Sequence, residues 1–358
     1  PVNEKKKLRA RYDYNIRGWL TSLNKDYLSG SNANKYFGME LAYDKTGTVI
    51  PGAGYATAQY NGNITGTSWK TKGDDVARKF DFAYDNVNRL LKGDFNQKDN
   101  NNNWVHNVVD FTVKMGDGAG YNTAYDENGN IKRMLQWGLK INTSSAIDDL
   151  GYTYSNSGFS NKLMKVTETY NDPATKLGDF KDGSNASNVD DYSYDVNGNM
   201  VIDYNKNIVD NSGFSPGAPG INYNYLNLPQ TIKVDTKGSI EYVYDAGGNK
   251  LKKIVHENNK PDKTTTYIAG LVYEDDVLQF VGHEEGRVRY KPAIGEIPAN
   301  FAYDYFIKDH LGNCGGDLPT KASRTCTRRP QWKQELHQPK KVFKATDRPP
   351  GSPYLQPL

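Results

Sequence analysis

The chain has 358 residues, of which 36% are hydrophobic, and its mean hydropathy is −0.79. It contains no apolar run of transmembrane length and no signal peptide, so we expect no membrane span, and we interpret a chain that begins at Pro1 as a piece of a longer protein. Tyrosine contributes 26 residues, and its ring with a hydroxyl that can stay hydrated suits a sheet with one wet face.

A short motif headed by Tyr-Asp returns along the chain and is the unit from which the fold is predicted. Large rings precede it at a spacing of two, as in Phe80, Phe82 and Tyr84, which places them on one face of a strand. The Asp and the following Asn-Gly or Gly-Gly pair favour a tight reversal of the chain. The five copies are Tyr43-Asp44-Lys45-Thr46-Gly47, Tyr84-Asp85-Asn86-Val87-Asn88, Tyr125-Asp126-Glu127-Asn128-Gly129, Tyr194-Asp195-Val196-Asn197-Gly198 and Tyr244-Asp245-Ala246-Gly247-Gly248.

Each copy therefore predicts a strand, a turn and a return strand. A weaker copy, Tyr152–Gly158, lies in the longest interval between copies. Because an isolated hairpin is marginally stable in water, the hairpins are expected to bury their aromatic faces against neighbours. The predicted fold is all-β, with consecutive antiparallel β-hairpins that form one long curved sheet.

The last 45 residues, 314–358, differ in composition from the rest of the chain. Residues 314–358 hold nine Lys or Arg, three acidic residues, seven of the 16 prolines and both cysteines, Cys314 and Cys326. Such a basic, proline-rich stretch favours disorder. Three origins stay open for this tail: a changed reading frame, a variable effector stub or a structured end.

Taken together, these stretches resemble RHS-repeat or YD-repeat proteins. Two further segments carry the resemblance: Tyr14-Asn15-Ile16-Arg17-Gly18-Trp19-Leu20, and Tyr303–Asn313, whose Asp309-His310-Leu311-Gly312-Asn313 is similar to a signature of the RHS-associated core. The resemblance predicts repeats over residues 1–270, a truncated core segment over 271–313 and the tail over 314–358. It implies part of a hollow β-shell that encloses a C-terminal toxin in exported bacterial proteins.

The sequence contains no complete catalytic or metal-binding motif, and we predict no catalytic residue, no metal site and no cofactor. His283-Glu284-Glu285-Gly286 lacks a second histidine for a metal motif, and adjacent Asp309 and His310 would point to opposite faces of a strand. The turns Asp126–Asn130 and Asp195–Asn199 are similar to the start of a calcium loop but lack its distal glutamate.

The leading functional hypothesis is a non-enzymatic structural part of a secreted or surface-delivered RHS-repeat protein, with a C-terminal effector or the rest of the shell as its partner. The alternative is an extracellular adhesion module that binds cell-surface glycans. Its stacking rings would come from tyrosines and from Trp19, Trp69, Trp104, Trp137 and Trp332. Nucleic-acid binding through Arg328-Arg329 and Lys340-Lys341, and a nuclease-like tail, are the weakest readings.

Overall fold

The computed structural model describes residues 10–140, 143–170, 178–183, 189–213, 217–308 and 314–319, with backbone alone from residue 307 onward. The chain divides into two compact units, Pro1–Asp182 and Gly183–Leu358. The predicted domain boundary after residue 270 thus lies within the second unit, and it stays a prediction.

The first unit is built on one 11-stranded antiparallel sheet, whose strands follow chain order from β1 to β11 except that β7 and β8 both pair with β6. Two four-residue helices, α1 (Lys25–Leu28) and α2 (Tyr121–Ala124), and a short 3₁₀ turn, Asn156–Gly158, connect strands. The strands are β1 Tyr12–Tyr14, β2 Leu20–Leu23, β3 Phe37–Ala42, β4 Gly66–Thr71, β5 Ala77–Tyr84, β6 Leu90–Lys98, β7 Trp104–Val105, β8 Val113–Met115, β9 Arg133–Lys140, β10 Thr143–Tyr154 and β11 Leu163–Glu168.

The second unit contains two two-stranded sheets, β12 with β13 and β14 with β15, and a 10-stranded antiparallel sheet from β16 to β25 in chain order. A 3₁₀ turn spans Tyr204–Lys206. The strands are β12 Tyr192–Tyr194, β13 Met200–Asp203, β14 Val209–Asp210, β15 Ala218–Pro219, β16 Ile221–Tyr223, β17 Pro229–Val234, β18 Gly238–Tyr244, β19 Lys250–Glu257, β20 Lys263–Ile268, β21 Leu271–Glu274, β22 Val277–His283, β23 Gly286–Lys291, β24 Asn300–Lys308 and β25 Cys314–Pro319.

Each unit has its own apolar clusters. In the first unit, Leu91, Met115 and Tyr125 belong to one cluster, and a second includes Leu28 and Ile50. The core of the second unit is formed by Ile208, Ile221, Ile232, Val234, Ile240 and Tyr242. Because side chains alternate along a strand, one face of β16–β18 supplies most of this core and the other face stays polar.

The predicted all-β class, built from consecutive antiparallel hairpins, is confirmed. The expectation of one continuous sheet is replaced by two large sheets, one in each unit. Strand β25 pairs with β24 and extends the ladder to Pro319, six residues into the stretch expected to be disordered. The rest of that tail, residues 320–358, and the signature residues Asp309, His310, Leu311, Gly312 and Asn313 lie outside the described residues.

Candidate functional site

A five-residue turn headed by Asp or Asn recurs in both units. The backbone N–H of the first residue donates to the carbonyl of the fifth at 2.8–2.9 Å, and the N–H of the fourth donates back to the carbonyl of the first at 2.9–3.1 Å. The N–H of the fifth residue also donates to the first side chain, at 2.8–3.0 Å. Within the described residues, seven turns share this pattern, and they begin at Asn15, Asp85, Asp99, Asp126, Asp195, Asn224 and Asp245.

The fourth residue of every such turn has a left-handed backbone, with φ between +56° and +87°. Gly129, Gly198 and Gly248 occupy this position in the predicted copies, and Asn88 replaces glycine in the second copy. Asparagine is among the few non-glycine residues that tolerate this region. The ladder slips by one residue beside Tyr84 and beside Tyr244, so the turn is a three-residue loop with a bulge.

Hydrogen bonds within the turn favour the charged form of Asp195 and Asp245. Asp245 accepts from the backbone N–H of Gly247 at 2.9 Å and from the backbone N–H and side-chain amide of Asn249, both at 2.8 Å. The side-chain amide of Asn249, followed by its backbone N–H, holds the pKa of Asp245 below its usual value of 3.8. Asp195 makes the equivalent bonds to Asn197 and Asn199. In both turns the carboxylate oxygens that could bind a calcium ion accept hydrogen bonds from the turn itself.

Six tyrosines, each directly ahead of a turn or of a turn-like segment, connect their hairpin to an earlier part of the sheet. The hydroxyl of each donates to a backbone carbonyl at 2.5–3.0 Å. In five of the six cases the acceptor is the first residue after an earlier five-residue turn, and the exception is Tyr84, which donates to Ile64. The donor and acceptor pairs are Tyr43 with Leu20, Tyr84 with Ile64, Tyr125 with Leu90, Tyr154 with Ile131, Tyr223 with Met200, and Tyr244 with Pro229. We call this contact the tyrosine lock.

Neighbouring turns also touch one another. In the first unit the Asn63 amide donates to the Asn88 side chain at 3.1 Å, and the Asn128 amide donates to the Gly158 carbonyl at 3.3 Å. In the second unit the Asn199 amide donates to Asn227 at 3.0 Å. Asparagine side chains therefore link several turns to a neighbouring turn or loop within the same unit.

The first predicted copy keeps the tyrosine lock and lacks the turn. Tyr43 donates to Leu20, but Gly47 has no left-handed backbone and Asp44 makes none of the turn hydrogen bonds. The reason is Glu40, which is 1% exposed. Its carboxylate accepts from Thr48 Oγ1 at 2.6 Å, from the Val49 N–H at 3.0 Å and from Lys45. These bonds hold the segment after Tyr43 against the buried Glu40 carboxylate, and the regular turn does not form.

Two copies of the motif have Tyr-Asn in place of Tyr-Asp. Tyr223-Asn224 and Tyr14-Asn15 head regular turns, because an asparagine oxygen accepts the same N–H groups as an aspartate oxygen. A search for Tyr followed by Asp or Asn, with Gly or Asn three residues later, finds both.

Three carboxylates form a cluster in the first unit. Oxygens of Asp148, Glu168 and Asp179 lie within 4.8 Å of one another, and Asp148 is 1% exposed. The Phe180 N–H donates to Asp148 at 2.7 Å, and Lys181 forms an ion pair with Asp179. Burial, together with the neighbouring carboxylates, raises the pKa of Asp148 to about 7. The three carboxylate oxygens are the ligand type of a hard divalent cation.

Sequence alone did not single out this cluster, and the predicted absence of a metal site stays a prediction. His283 serves a loop, since its Nδ1 accepts from the Glu285 N–H at 3.2 Å. Within the described residues, the helices are only about one turn long and none could cross a membrane.

Solved structures with similar chains belong to Tc toxins. A TcdB2-TccC3-TEV crystal structure is 13% identical, with a TM-score of 0.45, over 87% of this chain and 15% of that one. The Tc holotoxin pore of Photorhabdus luminescens is 14% identical with a TM-score of 0.28, and TcdB2-TccC3 is 15% identical with a TM-score of 0.29. This chain spans 15% to 18% of their lengths. No protein-family model and no curated relative matches the sequence.

The aromatic rings expected to bind sugars are distributed differently from the prediction. Trp19 packs against Tyr43 with ring centroids 5.3 Å apart, and Trp69 stacks on Phe80 at 5.7 Å. The most exposed rings are instead Tyr60, Phe159 and Tyr225, at 79–83% exposure, among the described residues. Trp332 lies outside that part of the chain.

Proposed function

We propose that this chain is a structural, non-enzymatic segment of an RHS-repeat or YD-repeat protein. In this proposal its hairpins form part of a β wall that encloses or presents a C-terminal effector. The complete protein is exported and acts between competing cells. No residue is assigned a catalytic role.

The tyrosine lock is the observation that supports the proposal most directly. A wall made of hairpins needs a contact that fixes each hairpin to the one before it, in addition to the strand ladder. Hydroxyls such as those of Tyr125 and Tyr223 supply this contact by donating to the strand that follows an earlier turn. Because the contact involves backbone carbonyls, the surrounding side chains can vary while the repeat is kept.

A polar, half-buried face of the large sheet in the second unit is consistent with a container. Lys233, Ser239 and His256 lie side by side on the face of β17–β19 opposite the core. A polar face of this kind stays hydrated and does not require a second layer of structure.

Protease protection in the complete gene product that carries these repeats tests the proposal. An enclosed C-terminal segment resists trypsin while the hairpins are folded, and it becomes cleavable when Tyr84→Phe and Tyr244→Phe loosen two locks. The matched control is Tyr60→Phe with Tyr225→Phe, which removes two hydroxyls from exposed rings. Rapid cleavage of the segment in the folded, unmodified protein would refute enclosure.

A further inference from the structure

The carboxylate cluster of the first unit is assembled from three separate parts of the chain. Asp148 belongs to β10, Glu168 ends β11, and Asp179 lies in the irregular segment 178–182. One oxygen of each residue lies within 4.8 Å of the other two. Calcium binds oxygens at about 2.3–2.6 Å, so two oxygens on opposite sides of one ion are up to about 5 Å apart. The spacing of the three oxygens is therefore compatible with a single shared ion.

The cluster also holds an excess of negative charge in a buried position. Asp148 is 1% exposed, and the side chain of Asp179 is fully buried. Lys181 pairs with Asp179, but its own side chain is 43% exposed and lies toward solvent. When all groups are ionised, three carboxylates against this one lysine leave an excess of two negative charges. Buried like charges are costly unless a proton or a cation compensates them, and this excess equals the charge of one divalent cation.

Glu168 supplies an observation that is independent of the charge count. Its Oε1 accepts from the backbone N–H of Asp149 at 3.1 Å and from that of Tyr170 at 2.7 Å. Its Oε2 is buried, and no donor within the described part of the chain reaches it. Such an oxygen has lost its hydration without gaining a hydrogen bond, which is uncommon in folded proteins. A cation bound in the cluster would satisfy this oxygen.

The strand that carries Asp148 is shaped so that this residue faces the cluster. The pairing of β9 with β10 slips at Ile147, which is the extra residue of a bulge. Ile147 and Asp148 are consequently both buried, whereas regular alternation would send one of two successive residues outward. The Phe180 N–H donates to Asp148 at 2.7 Å and holds the segment 178–182 against β10.

We propose that Asp148, Glu168 and Asp179 bind one Ca²⁺ ion, each through a carboxylate oxygen, with water molecules as the remaining ligands. Calcium accepts about six to eight oxygens in a flexible geometry, whereas magnesium requires a near-ideal octahedron and usually binds through one or two carboxylates. Three carboxylates therefore favour calcium. With few protein ligands, the expected dissociation constant is on the order of 0.1–1 mM. The inference does not depend on the enclosure proposal, because all three ligands lie in the first unit.

Calcium titration of the purified full chain tests the inference, with calorimetry for affinity and thermal unfolding for stability. The chain freed of cations with EDTA, and then of the chelator, is the reference, and it is also the state in which the repulsion among the carboxylates acts in full. Calcium is expected to raise its melting temperature progressively with concentration, and magnesium at equal concentration is expected to raise it less.

Glu168→Gln and Asp148→Asn are each expected to weaken calcium binding about tenfold or more, because each replaces a charged ligand by an amide. The glutamine keeps an acceptor for the two N–H groups at Oε1. Asp149→Asn is the matched control, since it removes the same charge from the neighbouring residue, which is paired with Arg133 outside the cluster. It should bind calcium as the unmodified chain does.

Hydrogen exchange on the unmodified chain gives a second measurement that needs no variant. A bound ion joins the segment 178–182 to β10 and β11, so calcium should slow exchange in this segment at least about twofold and leave β17 and β18 unchanged. The inference is overturned if calcium changes neither the melting temperature nor the exchange of this segment. It is also overturned if the folded Glu168→Gln and Asp148→Asn variants bind calcium as tightly as Asp149→Asn, and equal affinity for magnesium overturns the choice of ion.

Discussion

At the scale of single residues, a motif tyrosine packs through its ring and forms a hydrogen bond through its hydroxyl. The ring of Tyr125 belongs to an apolar cluster with Leu91 and Met115, while its hydroxyl reaches the Leu90 carbonyl at 2.5 Å. Arg89 lies over the same ring at 4.5 Å. Phenylalanine would keep the packing and the cation contact and would lose only the lock, so the two contributions can be separated by experiment.

Tyr84→Phe is expected to lower the free energy of unfolding by about 1 kcal/mol, because it removes a hydrogen bond and leaves the Ile64 carbonyl without its donor. Burial raises the pKa of Tyr84 to about 12, which places its hydroxyl in a poorly hydrated position. Urea denaturation followed by circular dichroism measures the change. Tyr60→Phe, at an exposed ring, should leave the midpoint unchanged, and equal midpoints for both variants would contradict a stabilising lock.

At the scale of elements, the turn is defined by one backbone conformation at its fourth position. Gly129 has φ of +86°, and a Cβ there would meet only the Arg89 side chain at 3.8 Å. Space is therefore available, and any cost of a larger residue comes from the backbone. Gly47 lacks this conformation and also has open space around it, which makes the two glycines a matched pair.

Gly129→Ala is expected to destabilise the chain by about 1 kcal/mol, whereas Gly47→Ala should be neutral or slightly stabilising. The first substitution forces an alanine into the left-handed region, and the second only restricts the unfolded chain. Thermal unfolding of both variants measures the difference. Equal melting temperatures would mean that the turn at Asp126 relaxes without cost.

The carboxylate cluster between β10, β11 and the segment 178–182 predicts a dependence of stability on pH. The pKa of Asp148 is about 7 in the folded chain against 3.8 as the ordinary value. A carboxyl whose pKa is raised by folding stabilises the fold fully below its unfolded pKa, and this support is lost as the pH rises through about 7. The charged groups that face it are Glu168 and Asp179, and Asp179 in turn forms an ion pair with Lys181.

Asp148→Asn should therefore flatten the fall in melting temperature between about pH 4 and about pH 7, since the amide keeps an acceptor for the Phe180 N–H and carries no charge. Asp149→Asn is the control, because Asp149 forms a two-pronged ion pair with Arg133 at 2.7 Å and lies outside the cluster. If melting temperature falls equally with pH in the chain and in Asp148→Asn, another group is responsible.

At the scale of the whole molecule, the sequence predicted the hairpins because their determinants are local. The spacing of rings before Tyr84 and the residues after it decide strand and turn within about ten positions. The cluster at Asp148 could not be predicted, because Glu168 reaches it only through the register in which Leu150 pairs with Glu168. Asp44 shows the opposite error: a local motif was overridden by Glu40, whose burial depends on the packing of β3.

Burial within the second unit is uneven along the chain, and this predicts how the unit opens. Its core residues lie between Ile208 and Tyr242. Within residues 243–306, only Gly286 and Asp304 are buried. Asp304 is bound by two arginines of β23, Arg287 at 3.1 Å and Arg289 at 2.8 Å, so an ion cluster takes the place of apolar packing there.

Strands with few buried apolar contacts open at lower free energy than strands that form a core. Backbone amides of β20–β23 are therefore expected to exchange with deuterium at least tenfold faster than those of β17 and β18, although both sets are paired in the same sheet. Hydrogen exchange with mass spectrometry on the full chain measures the ratio. Equal protection along the sheet would contradict the prediction, because it would require β20–β23 to be stabilised by more than their own ladder.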